Sequence, residues 1–524
     1  MMNPHPASPR GGPRARGAWL LACAALALCG VSRAADSIGY HEVRTDATGR
    51  IAPWYGTGPS QAYDHGVRLV WNFWITMRAC PNGVPYYLQH QVWKADKDDP
   101  RGLGGDQLSM ALSSWNLLYG YLGDPAVRDN MRLIADYWLD HGMAPEGLLW
   151  GGLPYPYNTD VHSGTYDGDM RAGRGVLQPD KAASFGAELV MLYKATGERR
   201  YLERAIRIAD RLVANVKPGD ESHSPWPFRV NAATGAVPEE RNDHDHLIYR
   251  DTYTTNWTGA LRLFGDLAAL REGRVKAYLR TSELVSAWLK AYPMRNNRWG
   301  PFFEDVSTKD YSDTEINADT LAMYILEHPS WDPQWKADSR AILDWTYRTF
   351  ANPEASKWGV MVINEQTAFP VPGNSHTARH ASVELLWDAR TGDHAADDAA
   401  IRRLNWSTYW VDTDGKNAYP RDDNWLTDGY GDYVRHYLRA MAWDPDLAPA
   451  NENHLLSTTS VVRSIRYGAS EIRCDLFDAS SEETFKLGAS RPLRVVGGTL
   501  HWDPKGRVLT VDAREHAVVI ALAP

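Results

Sequence analysis

Along most of this chain the apolar and polar positions fall into two kinds of segment that follow each other in pairs. Within Phe185–Val213, residues 186–193 are apolar on nearly every side, Thr196-Gly197 interrupts them, and Tyr201, Ile206, Ile208, Ala209 and Leu212 then recur on one face. All-round apolarity predicts an inner helix, and the one-sided stripe predicts an outer helix packed against it. The pair recurs as Met110–Leu122, a break at Gly123-Asp124-Pro125, and Val127–Leu139. Further units begin at Asn256-Trp257, at Ala318 with Pro329 and Pro333 as breakers, and at Ala381 with Thr391-Gly392 as the turn. A hairpin of this kind cannot bury its apolar face alone, so neighbouring units must stack. Closing the stack into a ring gives the all-apolar helices an inner layer to occupy; an open solenoid is the rival arrangement.

After about Asn453 the period changes to short alternating or β-branched runs: Thr458–Tyr467, Glu471–Phe477, Leu493–Trp502, Arg507–Val511 and Ala517–Leu522. Gly468, Gly488, Gly497-Gly498 and Pro504-Lys505-Gly506 punctuate them as turns. The predicted fold is therefore mainly α, an α/α toroid of helical hairpins over residues 35–455, followed by a small antiparallel β domain over 456–524. Residues 1–34 read as a signal peptide, with Arg10, Arg14 and Arg16, the apolar run Ala18–Val31, and Ser32-Arg33-Ala34 as a cleavage site after Ala34. That run is shorter than a membrane span, and a lipoprotein reading at Cys23 leaves too little apolar sequence before the cysteine. The expected destination is the periplasm or the medium, with no membrane association once the signal is cleaved.

Beyond the signal segment two cysteines remain, Cys80 and Cys474, which in an oxidising compartment form either one disulfide or two buried thiols; they make no metal motif. The formal net charge is −9, and losing Arg10, Arg14, Arg16 and Arg33 with the signal makes the body more acidic still. Nucleic acid is excluded as a partner on that ground, whereas a local basic pocket can still take an anionic sugar. With 22 Trp and 26 Tyr against 10 Phe, the aromatics favour rings that join an apolar face to a polar edge, as sugar stacking requires, although a large helical core uses the same rings.

Three segments concentrate chemistry at predicted loop-to-inner-helix junctions. Residues 242–257 hold Asp243, His244, Asp245, His246, Tyr249, Arg250, Tyr253, Asn256 and Trp257; Tyr253 and Asn256 share a face if the helix has begun. The alternating Asp and His residues are a weak metal signal without partners elsewhere. In Asn374–His380, the residues His376, Arg379 and His380 fall at i, i+3 and i+4, so a helical start puts a base and a cation on one side. Residues 422–436 place Tyr430 between Gly429 and Gly431, after Trp425. Smaller candidates are Asn72, Trp74, Gln89, His90 and Trp93, and the group Asp160, His162, Tyr166, Asp167 and Asp169. β-Elimination from a uronic acid polymer needs a base for the proton beside the carboxylate, a group that offsets the carboxylate charge, and an acid for the leaving oxygen. Hydrolysis needs two facing carboxyl groups roughly 5–9.5 Å apart, for which Asp106, Asp167, Asp180, Asp243, Asp319 and Asp428 are available.

On the segments Tyr249–Trp257, Asn374–His380 and Asp428–His436, and on the hairpin texture over roughly residues 40–450, the chain resembles the α/α-toroid polysaccharide lyases, most of all polysaccharide lyase family 38, whose members act on glucuronan or alginate. The resemblance implies a lyase without cofactor or metal and an anionic polysaccharide or oligosaccharide as its partner. It makes Tyr249, Tyr253, Tyr430, His376 and His380 the candidate acids and bases. Asn256, Arg250 and Arg379 become candidate carboxylate clamps, with Trp257, His246 and Trp425 as further substrate contacts. Unsaturated uronyl hydrolases of glycoside hydrolase families 88 and 105 share a similar toroid, and a non-catalytic periplasmic sugar-binding protein is the reading from another class.

Overall fold

The computed structural model describes residues 36–523 except 90–103, 161–162, 243–245, 303–312 and 419–425, and excepting the side chains of 106 and 426–432. Twelve long helices are present among the described residues: α1 (Pro59–Ile75), α2 (Gly105–Leu122), α3 (Pro125–His141), α4 (Pro179–Thr196), α5 (Arg199–Asn215), α6 (Thr258–Leu270), α7 (Val275–Ala291), α8 (Glu315–Glu327), α9 (Trp335–Phe350), α10 (Asn374–Thr391), α11 (Asp397–Thr408) and α12 (Leu426–Trp443). None is long and apolar enough to cross a membrane. The even-numbered helices each touch the next, and α12 returns to α2, so the ring closes. Outside it, α3, α5, α7, α9 and α11 pack on the inner helix that precedes them, while α1 covers α12. The last inner helix thus takes its outer partner from the opposite end of the chain, which is why the toroid, and not a solenoid, forms.

The α4–α5 hairpin shows how the pattern folds. Phe185, Ala187, Leu189, Val190 and Leu192 of α4 are fully buried, and α5 buries Tyr201, Leu202, Ala205, Ile208, Ala209 and Leu212 while its other face stays in water. The break between them is Gly197 at φ +77, a left-handed cap that Gly adopts without a Cβ clash. At the α4–α6 contact, Gly259 is required for a different reason: a Cβ there would sit 2.7 Å from Ser184 Cα and 2.9 Å from Ser184 N. Gly259→Ala should therefore push two inner helices apart and cost about 1–3 kcal/mol, read as a lowered midpoint in chemical denaturation; an unchanged midpoint would refute the close approach.

Because each hairpin returns the chain, all six inner helices run the same way. Their N-termini gather at one face of the ring and their C-termini at the other. The C-terminal face carries the β domain, which has eight strands: β1 (His454–Thr458), β2 (Val462–Tyr467), β3 (Glu471–Leu476), β4 (Ser481–Lys486), β5 (Pro492–Val496), β6 (Gly498–Asp503), β7 (Val508–Ala513) and β8 (Ala517–Leu522). They form two antiparallel four-stranded sheets, ordered β1-β4-β7-β6 and β2-β3-β8-β5. Two expectations are corrected here. The single run Leu493–Trp502 is cut by Gly497 at φ +85 into two strands of different sheets, and β4 was missed because Glu482 and Glu483 broke its apolar alternation. The domain leans on the toroid: Leu455 packs on Gly120, His454 stacks on Tyr121 at 3.9 Å, and Arg128 donates to the Val462 carbonyl at 2.8 Å. The toroid and the β domain form one compact unit from Ser37 onward. Cys80 and Cys474 are both buried free thiols, so the disulfide alternative is set aside. The proposed signal segment lies outside the described residues.

Candidate functional site

At the N-terminal face of the ring, buried ionisable side chains of different inner helices meet. Glu315 is the first residue of α8 and fully buried; a helix N-terminus, with its unsatisfied N–H groups and positive dipole end, favours a carboxylate there. Two side chains from the start of α10 converge on it. Arg379 Nη1 donates to Glu315 Oε1 at 2.6 Å, and His376 Nδ1 meets the same oxygen in a short contact. Arg379 also lines the space along the ring axis. Glu315 therefore orients the imidazole through Nδ1.

On the α4 and α6 side of the same face, Asp180 Oδ2 accepts from Lys181 Nζ and from Asn256 Nδ2, each at 2.9 Å. Lys181 lies 3.6 Å from the centroid of the Phe302 ring, and Lys181, Asn256 and Phe302 border the upper part of the axial space. Asn256 borders this space, but the shared helical face expected of it and Tyr253 does not form. The helix begins only at Thr258.

The other predicted residues lie elsewhere. Tyr253 donates its hydroxyl to the Arg298 carbonyl at 2.6 Å and packs on Trp288 of the outer helix α7, so it is a strut between layers. Trp257 is fully buried, its ring against Trp226 and its indole N–H on the Thr254 carbonyl at 2.7 Å, which removes it from any sugar surface. His380 faces away from the lumen: Nδ1 pairs with Asp319 at 2.9 Å, and Nε2 lies 3.6 Å from Glu384. Arg340 of outer helix α9 grips Glu384 with two N–H bonds, at 2.7 and 2.9 Å. Burial raises the Glu384 carboxyl, but Arg340, His380 and Arg403 outweigh it and hold it below the usual range. This network joins inner and outer helices, and His380 belongs to it.

Tyr249 and Arg250 sit on a two-stranded hairpin (239–241 with 248–250), Arg250 exposed and paired with Glu239, and His246 is exposed at its end with φ +59. Trp425, Asp243, His244, Asp245, His90, Trp93 and His162 fall outside the described residues, as do the side chains of Tyr430, Asp428 and Asp106. Gly429, Tyr430 and Gly431 lie inside α12, in helix. Among the smaller candidates, Trp74 bonds Asn130, the Tyr166 hydroxyl donates to the Leu88 carbonyl, and Asp160 and Asp167 both pair with Arg174.

No family model matches the chain, and no curated protein sequence matches it. Solved structures do resemble it. A sugar epimerase from a ruminal bacterium superposes with a TM-score of 0.53 at 15% identity, over 73% of this chain and 98% of the other. The cellobiose 2-epimerase of Bacillus thermoamylovorans gives 0.53 at 13%, over 72% and 98%, and a D-mannose isomerase 0.53 at 12%, over 74% and 99%. What these structures share with the chain is the α/α toroid.

Sequence reasoning missed Glu315, Lys181 and Glu188, and the signal that finds them is simple. A charged residue inside a helix that is otherwise apolar all round has to face something polar, either the lumen or, as for Asp319 and Glu384, a paired group in the seam between layers. Glu188, in the middle of the apolar run 186–193, satisfies that rule: it is buried and held by Arg262 Nη1 at 2.8 Å, and both line the axis.

Proposed function

We propose that this protein is an exported carbohydrate-acting enzyme of the polysaccharide lyase type, cleaving a uronic-acid-containing polymer such as alginate or glucuronan by β-elimination. The convergence of His376 and Arg379 on Glu315 carries the reading. In this scheme the His376 imidazole removes the proton beside the uronate carboxylate, and Arg379 offsets the charge that builds on that carboxylate as the carbanion forms. Electrons then move into the C4–C5 double bond and expel the glycosidic oxygen, which takes a proton from an acid on the mouth face.

Hydrolysis fits less well. Asp180, Glu188, Glu315 and Asp319 are each tied to a cation or histidine, so these carboxyl groups do not form the facing pair that hydrolysis needs. A second reading, sugar epimerisation or isomerisation, is favoured by the three resembling structures and uses the same first step, proton removal next to a carbonyl.

One assay separates the two. Incubation with alginate and glucuronan should give rising ultraviolet absorbance from the new double bond. No rise, with a change in the NMR anomeric signals of cellobiose or mannose, would replace the lyase by an epimerase or isomerase; silence in both would overturn the enzyme reading.

A further inference from the structure

Outer helix α5 runs against the inner helices, so its last residue, Asn215, lies at the N-terminal face of the ring. There a pocket of about 290 Å³ opens between the loop that follows α5 and the turns at 149–150 and 234–237. Small-molecule sites begin at ~300 Å³, so this one takes a single sugar ring. Its wall is held by the backbone: Lys217 N–H donates to the Pro225 carbonyl at 3.0 Å, Ser224 N–H to the Thr252 carbonyl at 3.2 Å, and Trp150 N–H to the Ala232 carbonyl at 2.9 Å. Thr252 belongs to that wall and stands four residues before Asn256, which borders the axial space, so at most about 14 Å of chain separates the two. A polymer lying across the mouth can reach both.

The polar groups of this wall are few and unspent. Trp150 is only 4% exposed, yet among the described residues no acceptor meets its indole N–H. A buried donor without an acceptor is costly. It lines the pocket beside Gly235, where a Cβ would sit 3.5 Å from Trp150 Nε1 and 2.7 Å from Leu149 Cδ2, so glycine, at φ +72, keeps that N–H uncovered. Lys217 is exposed and, among the described residues, has no carboxylate within ion-pair distance. The wall's other basic side chain, His223, is held through Nδ1 by Asp220 at 2.9 Å. No acid stands among the described wall residues, in a chain with 65 Asp and Glu. Leu149, Pro225, Pro227 and Val237 supply apolar surface for the C–H face of a sugar.

We propose that this pocket is an accessory subsite for one uronate unit of the polymer, its carboxylate paired with Lys217 and a ring hydroxyl accepting from the Trp150 indole N–H. The choice of a uronate rests on the reading above, but the pocket shares no wall residue with His376, Arg379 and Glu315, so binding there needs no turnover. Hydrogen–deuterium exchange of the full chain should slow across residues 215–237 when D-glucuronate is added, and not with D-glucose or inorganic phosphate. Lys217→Met should raise the glucuronate concentration for half-protection roughly 10- to 100-fold, as expected for losing a charged hydrogen bond, and Lys217→Arg should restore part of it. Trp150→Phe, which removes the N–H and keeps an aromatic ring, should raise it about 3- to 10-fold; if that variant fails to fold, Lys217→Met, at an exposed side chain, still decides. Equal protection by glucose or by phosphate would overturn the uronate subsite, as would unchanged protection in Lys217→Met. Exchange that does not slow across 215–237 would overturn the subsite and leave the lyase reading to its own assay. Protection there without any cleavage of alginate or glucuronan would instead overturn the lyase reading and leave the subsite standing.

Discussion

Replacing His376 with alanine should lower the turnover of the uronan substrate by about 10²–10⁴-fold, the usual share of a positioned general base. The imidazole is buried and its Nδ1 meets Glu315, which fixes the plane of the ring. Glu315→Gln keeps the shape but removes the charge that both His376 and Arg379 rely on. It should lower turnover less than His376→Ala, because the shape of the site survives. Steady-state kinetics read both effects. Wild-type turnover in His376→Ala would remove the base from this residue, and wild-type turnover in Glu315→Gln would show that the carboxylate only packs.

The second large effect expected is on stability. Arg229 is fully buried, with Nε 3.1 Å from Asp169 and 3.4 Å from Glu240, and Nη1 2.6 Å from Asp251. These residues tie the loop before α4 to the strand that carries Glu240. Arg229→Met strands buried carboxylates and should cost about 3–5 kcal/mol, the range found when one partner of a buried ion pair is removed. The wild type has a pH signature at the same place. Burial, with Asp251 and Asp169 close by, raises the Glu240 carboxyl to about 7 despite Arg229. A carboxyl whose folded value lies above its unfolded value binds more protons when folded, so its contribution is full below about 4.5 and is lost as pH rises towards 7. The loss is on the order of 3 kcal/mol at most, and Glu240→Gln should flatten that part of the curve. Denaturant midpoints between pH 5 and 8 test this; a slope unchanged in Glu240→Gln would sink the assignment.

How much of this was written in the chain differs from element to element. The α4–α5 hairpin was legible because two local signals agree: Gly197 is the left-handed cap that a helix end calls for, and the α5 stripe has the helical period. His376 and Arg379 were legible as neighbours because a helix sets i and i+3 side by side, and α10 does begin at Asn374. Tyr253 misled for the same reason, since the spacing has meaning only inside a helix and α6 starts later. His380 misled differently. It shares the turn with His376, yet its position points it at Asp319 and Glu384 and so into the seam between layers, a direction that depends on where α8 and α9 stand.

The sequence by itself determined the repeating hairpins, the change to β structure after residue 453 and the presence of polar segments near the starts of three inner helices, because all three follow from side-chain period and turn chemistry within a few residues. Only the tertiary structure decided that α12 closes on α2, that α1 completes the outer layer, that Glu315 stands opposite His376 and Arg379 about sixty residues on, and that Trp150 and Lys217 share one pocket. The physical reason is range. Helix period acts over one or two turns, whereas a carboxylate finds its cation through the packing of whole helices, which no local pattern encodes.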